Sequence, residues 1–452
     1  MTQSKFAGDS FLRILIAVCI ASATVILQAQ TSPSTATPVD GSLLDSLTGS
    51  SILNQKFDSR PATAATFAIE SSAKTLSKPT MKLGLFTKLH LAMTDINDDD
   101  GIDTNDPDAD IALYPHLTRL WMAGSLWNED VAYKLSATYK SSKTSGMFLV
   151  DDMFINYKLS GSDAQLRVGQ FLIPFLREIN FSPMTNYFAE YSLLVAKNGG
   201  LVGRDIGLMF HGVTDLGVDR YLSYAMSVMD GRGQNLSVRG EKGTYSAGPL
   251  AGISIKESDM LYSGRLAIYA GPSKSGSTSQ EGCTSSNDPF ELELGVGAIL
   301  VQGGDSDITN TRMPDDSLTA GDGEDPEAIG YGIDLAIQGI RGLALNAEFL
   351  RKQTNLGISG ADKVEAQGWR VEGSMFFNDT YGAIGVRYAY WDPNLDLDNN
   401  RLVQYGIGWN KYIDNQGHLH RICLDYSIQE ENVSSTQTKT TSTILAGWQI
   451  QL

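Results

Sequence analysis

Long apolar runs are missing from all but the first thirty residues of this 452-residue chain, which rules out a bundle of membrane-crossing helices. Basic residues are also in short supply, with 35 Lys and Arg against 52 Asp and Glu, a net charge of −17. A nucleic-acid partner needs clustered basic side chains to neutralise phosphates, so that class is excluded. Cysteine is scarcer still. Of the three, Cys19 lies in the leading segment, while Cys283 and Cys423 could pair in an oxidising compartment without amounting to a disulfide framework. The chain has no glycine-rich phosphate loop, serine-nucleophile elbow or zinc-helix motif, so it implies no cofactor and does not read as an enzyme.

Residues 1–29 read as a cleaved signal peptide. Lys5 and Arg13 give a positive start, an apolar run follows from Phe11 to Leu27, and Leu27-Gln28-Ala29 offers a small-residue cleavage site. Val18 before Cys19 argues against lipid attachment. Without this segment the count is 33 basic and 51 acidic residues, a net of −18. Residues 30–80 are rich in Ser, Thr, Ala and Pro and read as a flexible periplasmic leader.

From residue 81 to 452 the texture is uniform. Segments of ten to fourteen residues alternate apolar and polar side chains between Gly, Asn, Asp and Ser breaks, the period and length of tilted membrane-crossing strands. Val131, Tyr133, Leu135, Ala137 and Tyr139 share one face, with Lys134, Ser136, Thr138 and Lys140 on the other. Trp369, Val371, Gly373, Met375 and Phe377 likewise oppose Arg370, Glu372 and Ser374. Charge on the polar faces argues against a dry sandwich core. Trp121, Trp127, Tyr139, Tyr157, Tyr390, Trp391, Trp409 and Tyr412 fall towards strand ends, as interface girdles require. Gly447, Ile450 and Leu452 resemble a terminal signal for barrel assembly, with leucine where an aromatic is usual. The expected fold is all-β, a transmembrane antiparallel β-barrel. Seventeen strands can be counted, including one at 249–257; because such barrels have even numbers, sixteen is favoured and eighteen possible. The third outward connection, Pro174 to Gly203, is exceptionally long and is expected to fold into the lumen.

Val168-Gly169-Gln170-Phe171-Leu172-Ile173-Pro174-Phe175 resembles the O/P-type porin family, the phosphate- and polyphosphate-selective-like outer-membrane channels. Pro115–Gly124, Leu149–Tyr157, Gly203-Arg204-Asp205-Ile206-Gly207 and Asp230–Asn235 resemble further family segments in the family's order, covering about residues 110–235. The resemblance implies a homotrimer of sixteen-strand barrels, passive transport of small ions and solutes, and basic residues near a constriction. The family strand often carries two adjacent arginines, whereas Thr118 precedes the single Arg119 here. Together with the acidic total, this departure does not favour phosphate as cargo.

The expected working residues are those setting charge and width where the pore is narrowest. Arg119, Lys134, Lys140, Arg167, Arg265, Arg370, Arg387 and Arg421 are expected to face the lumen; Arg177, Glu178 and Lys197 lie in the long loop, and Arg204 begins the strand after it. As a set they favour anions weakly; the bland reading pairs them with inward carboxylates such as Glu348, Glu372 and Asp425. Glu190 is a further candidate for the constriction, and Phe175, Phe181, Tyr187, Phe188 and Tyr191 are expected to anchor the loop against the wall. Gly385, Gly406 and Gly408, small and inward, favour an open bore over a closed structural or adhesive barrel. A barrel-scaffold enzyme is a third, weaker alternative.

The segment Asp95–Asp110 is strongly acidic, and Asp98, Asp100 and Asp103 are weak metal candidates whose spacing does not fit an EF-hand. Such outward loops are expected to be solvated, or to bridge through divalent cations to lipopolysaccharide. His418-Leu419-His420 is the only close pair among the five histidines and is weak evidence for a metal. The expected location is the bacterial outer membrane.

Overall fold

The alternating segments pair in sequence order and close on themselves. A computed structural model describes residues 79–452 apart from 99–109, 127–129, 142–145, 160–162, 181–184, 198–202, 232–242, 245–253, 256–257, 274–280, 304–305, 309–320, 324–326, 356–362, 398–399, 414–418 and 433–437. The signal segment, most of the leader, Trp127, Phe181, His418 and the candidates Asp100 and Asp103 therefore lie outside the described residues, as does the side chain of Asp98. Among the described residues helix contributes two short pieces, and no described helix is long and apolar enough to cross a membrane.

Among the described residues twenty strands form: β1 (Lys82–Asp98), β2 (Asp110–Leu126), β3 (Val131–Ser141), β4 (Gly146–Lys158), β5 (Gln165–Leu172), β6 (Arg204–Gly217), β7 (Arg220–Met229), β8 (Gly243–Thr244), β9 (Ser254–Ile255), β10 (Ser258–Ala270), β11 (Glu291–Gly303), β12 (Ser306–Ile308), β13 (Gly321–Gly323), β14 (Glu327–Ile340), β15 (Leu343–Asn355), β16 (Val364–Asn378), β17 (Gly382–Asp392), β18 (Leu402–Tyr412), β19 (His420–Asn432) and β20 (Thr438–Gln451). Sixteen of them make a closed antiparallel barrel, with β20 paired to β1 from Phe86↔Gln451 to Asp98↔Lys439. Closure leaves no free strand edge. Of the segment 249–257 only Ser254–Ile255 is described, and it lies outside the barrel. Its two-residue β9 joins β8, β12 and β13 in a separate four-stranded sheet, which removes the odd strand from the count.

The two faces of the wall differ in chemistry. Leu83, Leu85, Leu208, Ile333, Val386 and Ile407 stand exposed on the outside, while Arg265, Asp334, Glu348, Arg370 and Arg387 are buried inside. The aromatic girdle is only partly as expected. Trp369, Tyr388, Tyr390 and Tyr405 form a stacked outward group, but Trp391 and Tyr412 pack inside, because the parity of their strands puts them on the lumen face. Cys283 and Cys423 are free and buried in different clusters, so they do not pair.

Two bulges break the parity where it matters. Lys88 pairs with Leu117 but His90 with Tyr114, so one residue of β1 opposes Pro115 and His116 together. Proline cannot donate to a ladder, and an extra residue at that point absorbs it. The result is that His116 and Leu117, though adjacent, both turn inward. Between β3 and β4, Leu135 pairs with Met153 and Ala137 with Val150, leaving Asp151 and Asp152 opposite Ser136. Both aspartates are buried inside.

Candidate functional site

The connection between β5 and β6 runs inside the barrel. It carries α1 (Arg177–Asn180) and α2 (Leu193–Lys197). Its entry is fixed by Gly169, whose φ of 128° suits glycine and where a Cβ would meet the Met153 carbonyl and Phe154 Cα. Past that point Phe175, Leu176, Ile179 and Leu194 form a buried cluster with inward residues of the wall, among them Met229, Ile299, Leu350, Ala389 and Trp391. An apolar core therefore lies within the lumen, under the loop.

Beyond this core the loop is held by charge. Arg370 has no exposed surface and meets four carboxylates, Glu178 at 3.2 Å, Glu281 at 2.8 Å, Glu348 at 3.2 Å and Glu372 at 2.9 Å. The Glu178 backbone N–H donates to Glu348 at 2.6 Å, and its carboxylate accepts from the Ser192 N–H at 2.7 Å and hydroxyl at 2.5 Å. Burial raises the Glu178 carboxyl above its ordinary value, against the pull of Arg370 and Arg387. Arg177 lies 3.5 Å from both Glu281 and Glu293 and donates to Asn346 at 2.8 Å. Arg387 pairs with Glu372, donates to the Glu190 carbonyl at 3.0 Å and stacks on Phe188 with its guanidinium 4.1 Å from the ring centre.

The other inward residues divide by partner. Arg265 pairs with Asp334 and with Glu293 at 2.9 Å. Arg119 reaches Asp151 at 2.7 Å, Lys134 reaches Asp152 at 2.9 Å, and Arg204 reaches Asp152 at 2.8 Å. Arg167 is buried over the Phe154 ring and donates to Asn156. Arg421 donates to the Tyr187 carbonyl at 2.9 Å. Lys197 closes α2. Water reaches this cross-section beside β1–β4: the Glu190 side chain is 46% exposed, His116 23% and Lys134 18%, and Lys140 is exposed on the same inward face of β3.

Three features were not legible in the chain. The first is a second inward stretch, the described residues 281–290 of the connection between β10 and β11, which lies at the opposite end of the barrel from the β5–β6 connection. Its Glu281 N–H donates to the Thr185 carbonyl at 3.0 Å, and Cys283 packs with Tyr187 and Phe188. The lone acidic residue of Gln280-Glu281-Gly282-Cys283 gave no signal of this. The second is the use of Gly385 and Gly408. A Cβ at either would strike Tyr187 or Phe188, so these glycines seat the loop's aromatic rings and do not keep the bore open. The third is a grouping of His90, His116 and Glu190, whose nitrogen and oxygen atoms lie within 4.8 Å of one another. His90 Nδ1 stands 3.3 Å and His116 Nε2 3.4 Å from Glu190 Oε1. Partial burial alone would raise the Glu190 carboxyl, but the approach of His90 and the charges of His116 and Lys88 outweigh it and hold it at about 2. Of the weak pair 418–420 only His420 is described; it accepts from the Trp448 indole N–H at 3.3 Å.

No known protein-family profile matches the chain, and no curated protein matches it in sequence. Solved structures do. The outer-membrane channel DcaP of Acinetobacter baumannii aligns with a TM-score of 0.50 at 13% identity, covering 82% of this chain and 97% of that one. Pseudomonas putida OprB at high pH aligns at 0.49 and 11%, covering 82% and 94%. Salmonella typhi OmpF in complex with daunomycin aligns at 0.45 and 12%, covering 81% and 97%. At 13% identity the first of these likenesses speaks to the fold alone, a closed antiparallel β-barrel.

Proposed function

We propose that this chain is an outer-membrane channel for passive diffusion of small hydrophilic solutes, with a weak preference for anions and a homotrimeric assembly. The observation that carries it is the inversion of the wall, apolar outside and ionised inside, around a cross-section that stays water-accessible along β1–β4. An apolar exterior of this kind needs lipid, and an ionised lumen serves polar cargo. The preference is weak because Arg265, Arg370 and Arg387 are matched by carboxylates. It falls towards anions because Lys140 lies beside the accessible strip and Lys88 meets the Ala189 carbonyl, not a carboxylate, at 3.1 Å. The O/P-type affinity belongs to this same reading and is supported by the ordered motifs between about 110 and 235; phosphate is not proposed as cargo.

A second reading is a barrel with a closed lumen and a structural or adhesive role. It is favoured by the complete burial of Arg370 and Glu178 beneath two inward segments. Purified protein in planar bilayers separates the two. Step-like conductance with a reversal potential leaning modestly to anions in a salt gradient is expected; silence at every protein concentration would replace the channel with the closed barrel.

A further inference from the structure

We propose that His90, His116 and Glu190 form a binding site for one borderline transition-metal ion, of the zinc or nickel type, that clamps the tip of the long loop to the β1–β2 wall. The two imidazoles stack with ring centres 4.4 Å apart and planes 8° apart, which brings their nitrogens close together; binding one ion would turn the rings apart so that both in-plane lone pairs point at it. The register shift at Pro115 creates this pair, because without it His116 would not share the inward face with Leu117. Glu190 arrives from the loop, carried by its neighbours: the Ala189 N–H donates to Asp425 at 2.7 Å, and the Glu190 carbonyl accepts from Arg387.

The spacing is what a metal needs. Ligand atoms about 2.0–2.2 Å from a tetrahedral ion sit about 3.3 Å from one another. The separations of Glu190 Oε1 from the two nitrogens are 3.3 and 3.4 Å. The alternative, a plain hydrogen bond, fits less well. His90 is 1% exposed, and its Nδ1 has no hydrogen-bond partner despite its closeness to the carboxylate. A buried nitrogen left in this way is unfavourable unless something else satisfies it. An ion held between these atoms would satisfy that nitrogen. Imidazole with one carboxylate selects zinc, nickel or copper over the hard calcium and magnesium ions, which prefer oxygen alone. Three protein ligands leave a position for water or a solute anion. Because Glu190 and His116 border the accessible strip, an ion here would narrow the passage. The site itself does not depend on the channel reading; its effect on current does.

The test uses full-length protein without a histidine tag, stripped with chelator in detergent and titrated with Zn²⁺ or Ni²⁺ by calorimetry. Saturating Ca²⁺ and Mg²⁺ are present throughout. One equivalent is expected to bind at micromolar metal. His116→Ala and Glu190→Gln should each weaken it by at least about tenfold, the loss a supporting partner alone can cause. Both positions are partly exposed, so both variants should fold, and retained heat-modifiable migration on gels checks this. Absence of binding, or binding unchanged in both variants, overturns the site. In bilayers, micromolar Zn²⁺ should reduce single-channel current in the parent and not in His116→Ala. Current insensitive to Zn²⁺ despite the calorimetric binding overturns the clamp across the passage. Protein that binds metal but carries no current leaves the site standing and removes the channel reading instead.

Discussion

Against β14–β19 the long loop is met by Glu348, Arg370, Glu372, Arg387 and Asp425, all buried, while against β1–β3 it is met by Lys88, His90 and His116 beside an exposed strip. The first contact has the density of a protein core, with apolar packing and ion pairs supporting each other. The second touches the loop near its tip and leaves water alongside. On the proposed channel reading, a loop anchored on one wall and merely touching the other would set the width of the passage without closing it. Charge that is dry acts as structure, and charge that is wet acts on what passes.

The comparison breaks most visibly at Arg370. Replacing it by methionine leaves Glu178, Glu281, Glu348 and Glu372 buried without their shared cation, and breaking such a pair is destabilising by about 3–5 kcal/mol. Urea unfolding followed by tryptophan fluorescence should show that loss, and bilayer conductance should rise as the loop comes off the wall. Gly385→Val acts on the same anchor through shape. Its side chain would meet the Tyr187 ring, and overpacking of this kind is destabilising by about 1–3 kcal/mol. The unfolding midpoint should fall by less than for Arg370→Met, with conductance again raised; an unchanged midpoint would mean that Tyr187 is free to move.

On the wetter side the effects are smaller and concern selectivity. Lys140→Glu should leave the unfolding midpoint within experimental error and shift the reversal potential towards cations. If it shifts stability and not potential, the strip beside β3 is not the path. The smallest expected effect is acid sensitivity at Glu190. Its carboxyl is held down at about 2, below the ordinary value of 4.5, so its contribution is full above about 4.5 and is lost as pH falls through about 2. Parent and Glu190→Gln should therefore differ by a constant amount in unfolding midpoint above pH 4.5 and converge in stronger acid. Convergence at neutral pH would assign the stabilisation to other groups.

Much of this arrangement could be read along the chain, and its limits have physical causes. The inward arginines follow from period two, since Arg370 and Arg387 oppose Val371 and Val386 on strands whose other face is apolar. The entry of the loop follows from Gly169 in its motif. Parity failed at the bulges: His116 and Asp151 face inward because an extra residue was inserted, and nothing in strict alternation marks where that happens. The inward stretch 281–290 was missed because only its end of the barrel, and the glutamate it delivers, give it meaning. Gly385 and Gly408 were read as space for solutes when they are space for Tyr187 and Phe188. A missing side chain looks the same in sequence whichever neighbour fills the gap.

By itself the sequence determined an inverted barrel, with apolar residues outside, charge inside and one connection too long to be a turn, because alternation and composition are properties of single strands. Only the tertiary structure decided which charges are dry and which are wet. That depends on residues from β1, β2, β15, β16, β17 and the loop meeting in one cross-section, and closure of the barrel is what brings strands so distant in sequence together.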